Sequence, residues 1–196
     1  MSILDGMPSS TEELMATFQT AGALVNQILG ELKLEPKEQS VIDLMNNGHS
    51  LATIFDITKQ ERDALFVKGC RLIQIGQTKR ARDFLTVLYQ LEPLDERVIY
   101  ALASTFQIEG DMSRAAKLYI FFLALDASNA EGWLRLGECL KAAEENDQAL
   151  ECFQIAHNEC ARGNGSERAA NYAAKTIADI QSQAIQPLEG TAGLKQ

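Results

Sequence analysis

Residues 62–95 read RDALFVKGCRLIQIGQTKRARDFLTVLYQLEPLD, residues 96–129 read ERVIYALASTFQIEGDMSRAAKLYIFFLALDASN, and residues 130–162 read AEGWLRLGECLKAAEENDQALECFQIAHNECAR. Set one above another, they align without a gap at a period of 34 residues. Gly69, Ala103 and Gly137 share a column, as do Ala81, Ala115 and Ala149. Two further columns hold large residues: Leu72, Phe106 and Leu140, then Leu85, Tyr119 and Phe153. Two helices approach closely only where a residue is small, and the large residues three and four places away fill the grooves beside it.

Self-similarity at this period is the mark of tetratricopeptide (TPR) repeats, each a helix–turn–helix unit. Repeat three supplies Trp133, Leu136, Gly137, Ala149 and Phe153 of that pattern. Repeat one keeps Gly69, Ala81 and the closing Pro93, and repeat two keeps Leu102, Ala115 and Tyr119. A helix pair cannot bury its apolar face alone, so the fold expected is all-α: three TPR hairpins stacked in a short solenoid.

Outward from this block, the flanks also read as helical. Ser10-x-x-Glu13 is a capping box that opens a helix to about Lys33. Along it Leu14, Phe18, Ala21, Val25, Ile28 and Leu32 recur at spacings of four and three, a heptad-like stripe. That stripe serves either an ordinary helix packed on its own solenoid or a dimer seam. Gly22 and Gly30 each weaken the helix by about 1 kcal/mol relative to Ala, so it needs a partner surface. Pro36 suits the first turn of a second helix that Gly48 ends, and a short helix follows from about Ser50 to Asp56. Thr58-x-x-Glu61 is a second capping box, starting repeat one; Gly76 and Gly110 close helices, and Asp95, Asn129 and Asn146 are expected caps. Gly163-Asn164-Gly165 breaks the chain, Ser166 caps a last helix to about Ser182, and Pro187 to Gln196 reads as a frayed tail. The expected organisation is an N-terminal helical region 1–58, repeats 59–162 (about 62–95, 96–129 and 130–162), a capping helix 163–186 and a tail 187–196.

The chain has 196 residues, 46% of them apolar, and a net charge of −9. That balance argues against nucleic acid or anionic lipid as a general partner, since both need a basic face. No run of 18 apolar residues exists, so no membrane anchoring is expected. Met1 to Ser10 lacks a charged stretch followed by an apolar one, and the cytoplasm is the expected compartment. Cys70, Cys139, Cys152 and Cys160 show no C-x-x-C pair. They read as reduced packing residues, and no metal or cofactor is expected. His49, beside Gly48, reads as a turn residue. No nucleophile–base set, Gly-rich phosphate loop or paired carboxylates point to an enzyme.

The run Gly48-His49-Ser50-Leu51-Ala52-Thr53-Ile54-Phe55-Asp56-Ile57-Thr58, directly ahead of three TPR repeats, resembles the SycD/LcrH family. The segment Gly137-Glu138-Cys139-Leu140 and the helix from Arg97 to Gln107 are similar to it as well. The resemblance covers about residues 45–162. These are the class II chaperones of type III secretion, which hold two pore-forming translocator proteins in the bacterial cytoplasm. The resemblance implies a chaperone that cradles an extended translocator segment with spaced Pro and Leu anchors in its concave face; the homodimer expected beside it rests on the Leu14–Leu32 stripe.

In a TPR, helix A lines the concavity through its second, fifth, ninth and twelfth positions. Those are Asp63, Phe66, Cys70 and Ile73 in repeat one, then Arg97, Tyr100, Ser104 and Gln107 in repeat two. In repeat three they are Glu131, Leu134, Glu138 and Lys141. Phe66, Ile73 and Tyr100 are expected to form pockets for apolar anchors, or else simply to pack between helices. Arg97, Ser104 and Gln107 are expected to bond the backbone of the peptide.

Two binding rivals stand beside this reading. A TPR co-chaperone that grips an acidic C-terminus needs a clamp of Lys, Asn and Arg. Here Phe66, Cys70, Ala101 and Glu131 occupy the clamp positions, and Arg135 alone fits. A generic bacterial TPR scaffold for complex assembly is the other.

Overall fold

The computed structural model describes residues 2–5, 7, 13, 16, 20 and 35–185. Among these no strand occurs. Glu13, Ala16 and Thr20 are helical, but the stripe residues Leu14, Phe18, Ala21, Val25, Ile28 and Leu32 lie outside the described residues, as does the tail beyond Ile185. From Pro36 onward the order is α1 (Pro36–Asn46), α2 (Leu51–Ile54), α3 (Lys59–Gln74), α4 (Thr78–Leu91), α5 (Glu96–Ile108), α6 (Met112–Leu125), α7 (Ala130–Ala142), α8 (Asn146–Ala161) and α9 (Glu167–Ile185). From α3 on, each helix packs on the next in sequence, and α3 also touches α5. The helices α3 to α8 are therefore the three hairpins that the period predicts, and α9 lies on α8 and α7.

The starts of the first helices of each hairpin follow their sequence signals. Thr58 Oγ1 accepts from the backbone N–H of Glu61, whose carboxylate accepts in turn from the N–H of Thr58 at 2.8 Å. Asp95 caps α5, Asn129 caps α7 by accepting from Gly132, and Ser166 accepts from Ala169 at the start of α9. Each satisfies a donor that the first helical turn leaves unpaired. Gly76 and Gly110 close α3 and α5 with φ of +74° and +83°, a backbone region open to glycine at little cost. The third member of that column is Glu144, which takes φ +65° without that freedom.

One expected cap is corrected. Asn146 is the first residue of α8, and Glu145 stands at the cap position without making a side-chain cap. Its carboxylate is engaged elsewhere. Glu145 accepts from the N–H of Ile3 at 2.6 Å and from Ser2 Oγ at 2.9 Å, while Ser113 donates to the carbonyl of Ile3 at 3.0 Å. Ile3 and Leu4 pack against the core there. The segment Ser2–Leu4 thus clasps the edge where repeats two and three meet.

The columns of the period are the packing layers. Ala81, Ala103, Ala115 and Ala149 are fully buried, as are Leu85, Tyr119 and Phe153. A Cβ added to Gly69 would lie 3.1 Å from Leu85, and one added to Gly137 would lie 3.1 Å from Phe153. Small residues of the first helix thus seat large residues of the second within each hairpin. Between hairpins the helices also approach closely at Gly132, where an added Cβ would sit 2.7 Å from Phe122. One core cluster runs from α5 through α9 and holds Ala169, Ala173 and Ile180 of the last helix; a second joins repeats one and two around Leu85, Leu88 and Leu102.

Candidate functional site: the concave groove

The first helices of the hairpins turn one wall toward a groove of about 640 Å³. On α3, Phe66, Cys70 and Ile73 fall one turn apart and share a face. On α5, Arg97, Tyr100 and Ser104 do the same, and Phe122 of α6 closes the floor between them. The lining is mainly apolar in the middle, with Glu96, Asp126, Asn129 and Glu131 around it.

Aromatic packing holds the floor. The Tyr100 ring meets Phe122 edge-on at 5.2 Å between centroids and Tyr119 at 5.6 Å, geometries that ring quadrupoles favour. The Arg97 guanidinium lies 5.2 Å from the centre of Phe66, in cation–π range. Its Nη2 donates to Asp95 at 2.7 Å and to Asp63 at 3.0 Å. The hydrogen bond from Arg97 holds the Asp95 carboxyl below the usual carboxylate range, and the two carboxylates raise Arg97 above the ordinary guanidinium value. Burial pushes the Cys70 thiol up, so it faces the groove neutral. Cys139 and Cys152, inside the core, are pushed up to about 12 by burial.

Behind the groove runs a chain of side-chain hydrogen bonds. Ser104 Oγ and the Tyr119 hydroxyl lie 3.1 Å apart, and Tyr119 donates to Gln107 Oε1 at 2.8 Å. Gln107 Nε2 donates to Glu138 at 2.8 Å, and Arg135 donates to the same carboxylate at 3.0 Å. Burial holds the Tyr119 hydroxyl in its protonated form well above its ordinary range.

Of the residues placed on the concave face by sequence, Phe66, Cys70, Ile73, Arg97, Tyr100, Ser104 and Glu131 line this single groove. Asp63 stands beside it, fixing Arg97. Gln107 and Glu138 belong to the bonded chain behind it. Leu134, nearly buried, lines a separate cavity of about 280 Å³ with Glu131, Arg135, Glu138, Arg168 and Tyr172. Lys141 lines neither. The polar atoms of Arg97, Ser104 and Gln107 already bond other side chains or, for Ser104, also the carbonyl of Tyr100. A peptide that bonds them competes with partners in place. Phe122 was not expected in the lining, because it comes from a second helix of a hairpin.

No family model matches the sequence, and no curated protein matches it. Solved structures do match in shape. A T3SS complex from Aeromonas hydrophila superposes with a TM-score of 0.69 at 19% identity, over 75% of this chain and 98% of that one. PcrH in complex with the chaperone binding region of PopD gives 0.63 at 20% identity, over 65% and 96%; PcrH comes from Pseudomonas aeruginosa. The Yersinia enterocolitica type III secretion chaperone SycD, in complex with a peptide of the translocator YopD, gives 0.62 at 18% identity, over 65% and 98%. This chain thus shares its helical-hairpin fold with the SycD and PcrH chaperones.

Proposed function

We propose that this protein is a chaperone that binds an extended segment of type III secretion translocator proteins in its concave groove, keeping them soluble until export. The observation that carries the reading is the groove itself: Phe66, Ile73, Tyr100 and Phe122 form an apolar floor on one open wall. An extended peptide has side chains alternating along its length, and such a wall takes those on one side. The fold likeness adds support, because PcrH and SycD have been solved with translocator peptides bound. The protein acts by binding, without chemistry of its own, in the bacterial cytoplasm.

Untagged purification from cells that make the protein, followed by mass spectrometry of what comes with it, tests the reading. The expected companion is a hydrophobic, membrane-inserting protein. A soluble folded enzyme in its place would move the assembly-scaffold reading ahead.

We also propose a homodimer, with region 1–58 as the contact through Leu14, Phe18, Ala21, Val25, Ile28 and Leu32. One SycD structure is described as an alternative dimer, so chains of this fold do pair. Sedimentation should give a dimer for the full chain and a weaker one without residues 1–33. A full chain that is monomeric at every concentration rules the dimer out.

A further inference from the structure

The groove floor is apolar, but its rim is acidic in an uneven way. Asp63, Arg97 and Glu131 occupy the same column of the repeat, on α3, α5 and α7, one period apart. Their charges alternate along the wall: negative, positive, negative. Arg97 turns toward Asp63 at 3.0 Å and toward Asp95 at 2.7 Å. Glu131 has no hydrogen bond or ion pair among the described residues, and neither does Glu96 beside Arg97. Asp126 accepts from Ser128 and Asn129, and the bond from Asn129 holds its carboxyl below the usual range, so it stays charged. Arg97 is the one cation among the described lining residues, and two carboxylates already neutralise it. Arg135 and Arg168 line the smaller cavity with Glu131 but form no ion pair with it, so the groove presents Glu96, Asp126 and Glu131 without an ion pair beside a low-dielectric floor, which focuses their field on whatever lies there.

From this charge complementarity we propose that the segment this groove takes carries a Lys or Arg between its apolar anchors, with the cation set against Glu131 and Glu96. The inference rests on the chaperone reading above and names the chemistry of its client. A long basic side chain suits such a site. Its methylenes cover the rings of the floor while its charged head reaches the rim. An acidic residue at the same place meets three carboxylates and a cation already in use.

Three fluorescein-labelled peptides test this. They share Leu and Pro anchors in a Gly–Ser background and differ in one residue between the anchors: Lys, Ala or Glu. Anisotropy titration against the full chain is run at salt of about 20 mM and about 500 mM, on either side of the range where screening becomes strong. At low salt the Lys peptide should bind roughly fivefold tighter than the Ala peptide, with the Glu peptide weakest, the size expected for a partly exposed ion pair. High salt should erase most of the difference, and Glu131→Gln should bring the Lys peptide close to the Ala peptide. Equal affinities for all three at low salt overturn the proposal while leaving the chaperone reading intact. A Lys preference that survives Glu131→Gln overturns the assignment to this rim. If none of the three binds, the chaperone reading falls, and this inference falls with it.

Discussion

Ala115→Glu should unfold the middle of the solenoid and cost several kcal/mol. Ala115 has no solvent exposure and sits in the core cluster between α5, α6 and α7. A carboxylate there meets no buried cation, since Thr105, Glu159 and Thr176 are the buried polar residues among those described. An uncompensated buried charge is among the few single changes that cost this much. The repeat architecture amplifies the loss, since each hairpin is stabilised through its neighbours and the middle one has two. Total stability for a domain is about 5–15 kcal/mol, so the variant stands near the edge of folding. Thermal melts followed by circular dichroism give the answer. At about 2–4 °C per kcal/mol for a chain of this size, the midpoint should fall by roughly ten degrees or more, or the transition should vanish. Lys117→Glu, two residues along and exposed, is the control and should melt like the parent. A midpoint for Ala115→Glu within a degree or two of the parent would mean the hairpin register is wrong.

Tyr100→Ala should lower affinity for a translocator segment about thirtyfold. Under the proposed function Tyr100 is the central anchor of the groove floor, between Phe66 on α3 and Phe122 on α6. Truncated aromatic anchors at the centre of an interface cost about 2 kcal/mol or more, which corresponds to that loss. The same ring also packs on Tyr119 and Phe122, so the variant loses stability as well. Two further variants separate these effects. Phe66→Ala, half-buried at the groove wall, should lose affinity with a smaller change in melting point. Tyr100→Phe keeps the ring and loses only the hydroxyl, which Arg135 approaches at 3.4 Å, so it should bind nearly as the parent does. Lys117→Ala, on the opposite helix of the hairpin, should change nothing. The measurement is anisotropy titration with melts alongside. If Phe66→Ala and Tyr100→Ala stay folded and bind as tightly as the parent, the groove is not the client site.

Much of this was legible in the sequence because the period is itself a packing rule. Gly69 faces Leu85 and Gly137 faces Phe153 at the limit of contact, so the alignment of small with large residues reports the hairpin interior directly. The caps Thr58, Asp95, Asn129 and Ser166 were legible for a similar reason, since a cap is a bond across two or three residues. The lining of the groove was legible from the first helices alone. Phe122 was not. Its column holds Leu88 and Ala156, both buried, and reads as core. The charge pairing escaped too, because sequence shows which groups share a face but not which already have partners. Gln107 is the clearest case: both ends of its amide are bonded, to Tyr119 and to Glu138. The Asn146 cap failed for a reason of distance, since Glu145 answers to Ser2 and Ile3, 143 and 142 residues away.

That clasp bears on the order in which the molecule assembles. Repeat solenoids are built from contacts between near neighbours in sequence, which form fast because little chain must be closed to make them. The bonds from Glu145 and Ser113 to residues Ser2 and Ile3 close a loop of more than a hundred residues. Their partners are in place only after repeats two and three have docked, so the clasp is the last piece to form. It is also the cheapest to release, resting on a few bonds and two apolar side chains while every hairpin beneath it stays shut. Amide protons at its ends therefore exchange with solvent through a local opening, long before those of α6 and α7 exchange through global unfolding.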